Sequence, residues 1–269
     1  MSRLQPFAQT RIPIRISLCR AHSLLRRPPD DETIGTGGHL FLWRDVWIAH
    51  ATDGAPANLV DASAYGFTTR EDYAQARRQE LLRALSIAGI GPERAIELGF
   101  IDQQCAYRLA ALTRSIAGLI RRIEPEVIFA PSYEGGHPDH DSLAFAVHRA
   151  CRTSRKPAPQ IVEYALYHSD GGGLRTGHFL PSSVPQTTIA LSPDALAIKQ
   201  RMLLCFRTQQ SVLAPFQSDC ERFRPAPSYD FTAPPHSGDL YYEHCDWGVT
   251  GAEWRSLAGA ADAELEMNS

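Results

Sequence analysis

Two short stretches hold most of the side chains able to do chemistry. One is Gly135-Gly-His-Pro-Asp-His140, with imidazoles at His137 and His140 and a carboxylate, Asp139, between them. The other lies far upstream: Pro28-Pro-Asp-Asp-Glu32, followed by Thr33-Ile-Gly-Thr-Gly-Gly38. Imidazole and carboxylate at this density suit a divalent cation such as zinc, which binds nitrogen and oxygen donors of this kind. Three consecutive carboxylates repel one another, so in a fold interior they persist only beside a cation or hydrogen-bond donors. The plainer alternative is an exposed acidic turn and a solvated helix start that the histidines merely cap. Pro138 suits such a start, because its fixed φ and missing N–H cost nothing at the first helical position.

Elements must bring these stretches together. Beyond His140, Leu143, Val147 and Ala150 recur at helical spacing. The apolar run Val127 to Ala130 predicts a strand leading into the histidine turn. Ile12 to Leu18 reads as the first core strand, which leaves Cys19 to Pro28 as an inserted loop or local disturbance. Val46 to Ala51 reads as a buried strand ending in the polar turn Thr52-Asp53-Gly54. Thr68 or Thr69, with Asp72 three after the second, caps a helix over Glu71 to Ala88, which stops at Gly89. A short strand follows at Ala95 to Gly99. An amphipathic helix follows over Tyr107 to Ile123, and further strands at Ile161 to Tyr167 and Thr187 to Leu191. Ser192 caps a helix running to about Leu213. Strand and helix in alternation imply right-handed crossovers and a parallel sheet. The expected architecture is a single α/β domain with a three-layer, Rossmann-like fold and a mainly parallel central sheet. Its core spans about 10–213. A loop-rich, aromatic extension over 214–269 serves as a lid or side wall. Both chemical turns then lie at carboxyl ends of strands, where such folds hold ligands.

The chain has 269 residues and a net charge of −3, which leaves no electrostatic footprint for nucleic acid. Six cysteines occur without a CxxC pair, so a thiolate zinc site is not expected; Cys105, Cys151 and Cys205 read as small buried hydrophobes. That usage fits a reducing cytoplasm. No run approaches the roughly 18 apolar residues of a membrane span. Gly35, Gly37 and Gly38 do not form GxGxxG, which disfavours a dinucleotide.

In order, Asp30-Asp-Glu-Thr-Ile-Gly-Thr-Gly-Gly38, Thr52-Asp-Gly54, Arg77-Arg-Gln-Glu80 and His137-Pro-Asp-His140 resemble the PIG-L/LmbE family of zinc-dependent N-deacetylases, whose motifs read AHPDDE and HPDH. The resemblance implies Zn2+ held by Asp31 and His140. It implies Asp30 as the general base on the attacking water and His137 as the group that meets the oxyanion. It implies Asp139 as a residue orienting a histidine, and Asp53 and Arg77 lining the substrate pocket. The implied partner is a small N-acetylated sugar conjugate of N-acetylglucosamine type; nucleic acid and a membrane span are not implied, and a homo-oligomer is compatible. The family's third zinc ligand, the His of AHPDDE, is replaced here by Pro28. Three outcomes are open: His22 loops back to supply the ligand, the chain is an inactive, sugar-binding relative, or Cys19 to Pro28 is a reading-frame disturbance over an otherwise ordinary motif.

Overall fold

A computed structural model describes the backbone of residues 22–26 and residues 30–154, 157–171, 173–216 and 219–267. In chain order the elements are β1 (His22–Arg26), α1 (Asp31–Leu40), β2 (Trp47–Pro56), α2 (Val60–Ala64), α3 (Arg70–Ile87), β3 (Ala95–Asp102), α4 (Leu109–Ile123), β4 (Val127–Pro131) and α5 (Pro138–Arg152). The second half adds β5 (Gln160–Tyr164), β6 (Tyr167–Asp170), β7 (Gly173–Thr176), β8 (Thr187–Ala190), α6 (Pro193–Leu203), α7 (Gln210–Leu213), β9 (Cys220–Pro225) and α8 (Gly251–Met267).

Among the described residues, seven strands form one sheet in the order β3-β2-β1-β4-β5-β9-β8. β3, β2, β1, β4 and β5 are parallel, and β9 runs antiparallel to both β5 and β8. The chain moves outward from β1 through β2 to β3, then returns to lay β4 on the other side of β1. The loops after β1 and β4 therefore diverge and leave a crevice at the carboxyl edge, the usual place for a ligand in an open α/β sheet.

The first strand corrects the expected order. Ile12 to Leu18 lies outside the described residues, and the strand beside β2 and β4 is His22–Arg26, with Leu24 opposite both Ile48 and Phe129. Ser23 to Arg26, expected to be part of an insertion, is thus sheet. His22 opens that strand opposite Val127. At about 3.3 Å per residue it stands roughly 13 Å from the carboxyl end that feeds Asp30, so it does not loop back to the site.

Local signals account for the helices. Thr69 caps α3 by accepting from Asp72 N at 3.1 Å, and Ser192 caps α6 by accepting from Ala195 N at 3.2 Å. α4 buries Leu112 and Ile116 completely, each worth about 1.5–3 kcal/mol relative to exposure. The helix expected to continue to Leu213 breaks after Leu203, because Glu80 on α3 accepts from Thr208 N and Thr208 Oγ1 at 3.1 and 2.7 Å and holds a 3-10 turn there. The expected loop-rich tail is also corrected. β9 is part of the main sheet, and α8 is a 17-residue helix whose Trp254 is fully buried in the core with Tyr133, Phe145 and Phe231. Cys105 and Cys151 are buried as expected; Cys205 is half-buried.

His148 on α5 packs edge-on against Tyr229 and Phe231, and its Nε2 has no hydrogen-bond partner among the described residues. Burial, helped by the Arg149 cation, holds its pKa down at about 4. Between that value and the unfolded 6.5 the unfolded chain binds the extra proton, so stability is full above pH 6.5 and falls towards pH 4. After allowance for partial exposure, the loss should be about 2 kcal/mol. Denaturant titrations at pH 7 and pH 4.5 should show it, with a flatter dependence in His148→Gln.

Candidate active site

The acidic motif enters the crevice as the first turn of α1. Asp30, Asp31 and Glu32 are all buried, at 5, 5 and 0% exposure, which rules out the exposed acidic turn. The helix they begin is buried over nearly its full length. Its glycines serve packing: a Cβ at Gly35 would stand 2.2 Å from the Tyr164 ring, and one at Gly38 2.5 Å from Leu191. The glycine run thus lies within a packed helix rather than in a phosphate-binding loop. Lys199 on α6 anchors α1 by donating to Ile34 O at 2.7 Å and Glu221 at 2.9 Å, and Glu221 also accepts from Gly38 N and contacts His39. His39 is accordingly held beneath the helix and is not placed as a ligand.

The histidine motif enters from the other side of the crevice. His137 is the N-cap of α5: its Nδ1 accepts from Asp139 N at 3.2 Å, with Pro138 at the first helical position. With Nδ1 committed as an acceptor, the neutral ring carries its proton on Nε2. The turn is held from three sides. Asp139 accepts from Gln103 N at 2.8 Å and Cys105 N at 3.0 Å, fixing the chain after β3. Asp141 accepts from Gly135 N at 3.1 Å and Glu134 N at 3.3 Å. Trp254 on α8 donates from Nε1 to Pro138 O and Ser142 Oγ, both at 3.0 Å.

The two motifs meet at Asp31 and His140. Their Oδ2 and Nε2 stand 2.9 Å apart, and both side chains are about 5% exposed. Two ligands on a tetrahedral zinc stand roughly 3.3 Å apart, so a small opening of this pair would admit the ion. The donor chemistry fits, with an anionic oxygen and an imidazole nitrogen in a dry site. No group of three or more His, Cys, Asp or Glu able to hold a metal occurs among the described residues. Pro28, at the family's third ligand position, lies outside them.

Asp30 sits beside this pair. Arg77 on α3 donates to its Oδ2 at 3.2 Å and to Gly54 O at 2.6 Å. Burial pushes the Asp30 pKa up to about 8 against the pull of Arg77, with Asp31, Glu32 and Asp102 adding to the rise. Glu32 bonds His50 Nε2 at 3.2 Å, and His50 Nδ1 is buried with no hydrogen-bond partner among the described residues. Asp53 pairs with Arg70 and accepts from Ala55 N at 3.1 Å; it lies on β2, which runs through the expected polar turn to Pro56.

Several site neighbours were missed from sequence. Asp141 and Trp254 fix the histidine turn, and only the four-residue step from His137 to Asp141 hinted at the first of them. Tyr133 and Glu134, just before the histidine turn, are buried: Tyr133 Oη donates to Ala233 O at 2.8 Å, and Glu134 pairs with Arg224 at 3.1 Å. His168 is buried as well, at 5% exposure. A cavity of about 650 Å³ between α4, α5 and α8, lined by Arg114, Arg121, Arg149, Arg152, Asp262 and Glu266 among others, shares none of these residues.

Residues 28–151 match the family model described as PIG-L, GlcNAc-PI de-N-acetylase. Solved structures share the fold. Teicoplanin deacetylase in its zinc-inhibited form is 15% identical, with a TM-score of 0.60 over 78% of this chain and 99% of that one. The deacetylase of A40926 pseudoaglycone is 20% identical, with a TM-score of 0.60 over 78% and 98%. N,N'-diacetylchitobiose deacetylase from Pyrococcus horikoshii, complexed with an inhibitor, is 19% identical, with a TM-score of 0.57 over 77% and 84%. No helix among the described residues is long and apolar enough to cross a membrane.

Proposed function

Residues 28–151 form a PIG-L family region, and from that premise we propose that the protein hydrolyses the acetamide of an N-acetylglucosamine-type sugar conjugate. The observation that carries the proposal is the buried 2.9 Å contact between Asp31 and His140, one from each motif, with Asp30 and His137 beside it.

Amides resist hydrolysis because water is a weak nucleophile and the amine a poor leaving group. Zinc, held by Asp31 and His140, would supply a more acidic water and positive charge near the carbonyl. The chain's own groups do the rest. Asp30 takes the proton of the attacking water and returns it to the departing amine. Arg77 holds that carboxylate in place. His137 donates from Nε2 to the oxygen on which charge develops. Asp139 and Asp141 keep the turn bearing both histidines rigid. Asp53 and Arg77 line the sugar side, as their family positions imply.

Pro28 favours a second reading, a relative that binds the sugar without cleaving it, since a catalytic zinc normally has three protein ligands. The test is incubation with an N-acetylglucosamine glycoside, with and without added zinc, measuring acetate and free amine. Equal yields of the two, dependent on zinc, are expected. Saturable sugar binding without acetate would support the second reading, and neither binding nor acetate would sink both.

A further inference from the structure

Four arginines converge on a cavity away from the crevice. Arg114 and Arg121 on α4, with Arg149 and Arg152 on α5, line the space of about 650 Å³ that these helices form with α8. That volume falls within the roughly 300–1,000 Å³ of small-molecule pockets. Asp262 and Glu266 are its acidic lining residues, and Ala117 and Leu265 are apolar. From His140 to Arg152, α5 rises roughly 18 Å, so the cavity is separate from the site of the two motifs.

Two of the four cations are already engaged. Arg149 pairs with Asp262 and lies over the Phe145 and Phe231 rings at 5.3 and 5.7 Å. Its Nε is nonetheless buried with no hydrogen-bond partner among the described residues. Arg114 pairs with Glu264 at 2.7 Å. Arg121 and Arg152 make no ion pair or hydrogen bond among the described residues, and both are exposed. Each stands in the last turn of its helix, where a cation offsets the C-terminal dipole. That role needs only a charge and leaves the guanidinium N–H donors unspent. Glu266, also exposed and without an ion pair among the described residues, opposes an anion, but two free guanidinium groups outweigh one free carboxylate. A guanidinium is a rigid planar fork that holds an oxyanion through two parallel N–H donations. Two free forks on neighbouring helices suit two linked oxyanion groups. Phosphoryl groups fit better than carboxylates, because each has a third oxygen left to accept from Arg114 or Arg149.

We propose that this cavity binds the diphosphate group of a small molecule, with Arg121 and Arg152 each holding one phosphoryl group. The proposal does not rest on the deacetylase reading. Inorganic pyrophosphate is titrated into the full chain by isothermal calorimetry at fixed ionic strength, beside inorganic phosphate and malonate. Saturable binding of about one pyrophosphate per chain is expected, about ten-fold tighter than either comparison anion. Arg121→Gln and Arg152→Gln should each weaken it by about ten-fold. Both side chains are exposed and unpaired, so the variants keep the fold. His140→Ala, altered in the crevice, should bind pyrophosphate as the parent does. Equal affinity in the parent and in the Arg121→Gln/Arg152→Gln double variant, or a loss of affinity in His140→Ala, would place the anion elsewhere and overturn the proposal. Malonate binding as tightly as pyrophosphate would overturn the diphosphate assignment. No saturable binding of pyrophosphate into the millimolar range would leave the arginines as helix-end charges and overturn the site.

Discussion

His140→Ala will lose both bound zinc and acetate release. In the parent chain, elemental analysis should find about one zinc per molecule, because the Asp31 carboxylate and the His140 imidazole are buried and within 2.9 Å of each other. Without His140 only Asp31 remains of that pair, and metal content should fall to background. The rate should drop by about 10³-fold or more, beyond the roughly 10–100-fold typical of groups that merely orient a ligand. His137→Asn separates the two roles of the motif. Asparagine is a good N-cap, so α5 keeps its start. Zinc should be retained, while loss of the Nε2 donor costs about 10²–10³-fold in kcat. A wild-type chain without zinc, cleaving nothing, would mean that Pro28 is decisive, and saturable sugar binding by that chain would then carry the sugar-binding reading.

The second large effect comes from a residue with no chemistry of its own. A Cβ at Gly136 would stand 2.1 Å from the carbonyl oxygen of Tyr167. A backbone atom cannot rotate away, so Gly136→Ala must push apart β6 and the loop that delivers His137. Overpacking of this kind costs about 3 kcal/mol, or roughly 6–10 °C in Tm for a chain of this size. Activity should fall by about 10²-fold even in the folded fraction, since displacing a reacting group by about 1 Å has that effect. Gly118 provides the opposite case. In α4 a Cβ there meets only Arg121 Nη2 at 3.9 Å. Gly118→Ala should therefore stabilise by about 0.5–1 kcal/mol through helix propensity. Thermal melts and kcat on the two variants check both signs. A Gly136→Ala protein of unchanged Tm would contradict the close packing of the site loop on β6.

What was legible in the sequence was local. Thr69 with Asp72, Ser192 with Pro193, and His137 with Pro138 each specify a helix start within a few contiguous residues, and the structure places caps at all three. The order of the motifs carried the family resemblance for the same reason, since each motif is one turn at the end of one strand. The first strand was not legible. His22-Ser-Leu-Leu-Arg26 holds only two apolar residues, and register with β2 and β4, not propensity, makes it the strand that feeds Asp30. The tail was not legible either. α8 is rich in alanine, glutamate and leucine, all good helix formers, but its place in the fold is fixed where Trp254 reaches Pro138 O and Ser142 Oγ, 116 and 112 residues away.

The sequence by itself determined the reactive groups, the caps that start their helices and the order in which the motifs enter the sheet. Only the tertiary structure decided that Asp31 meets His140, that Arg77 holds Asp30, and that Trp247 packs at a tilt on His137. These are pairings between residues far apart in the chain. Their distances follow from strand order, helix packing on glycine, and exclusion of water, and none of these is encoded in a window of neighbouring residues.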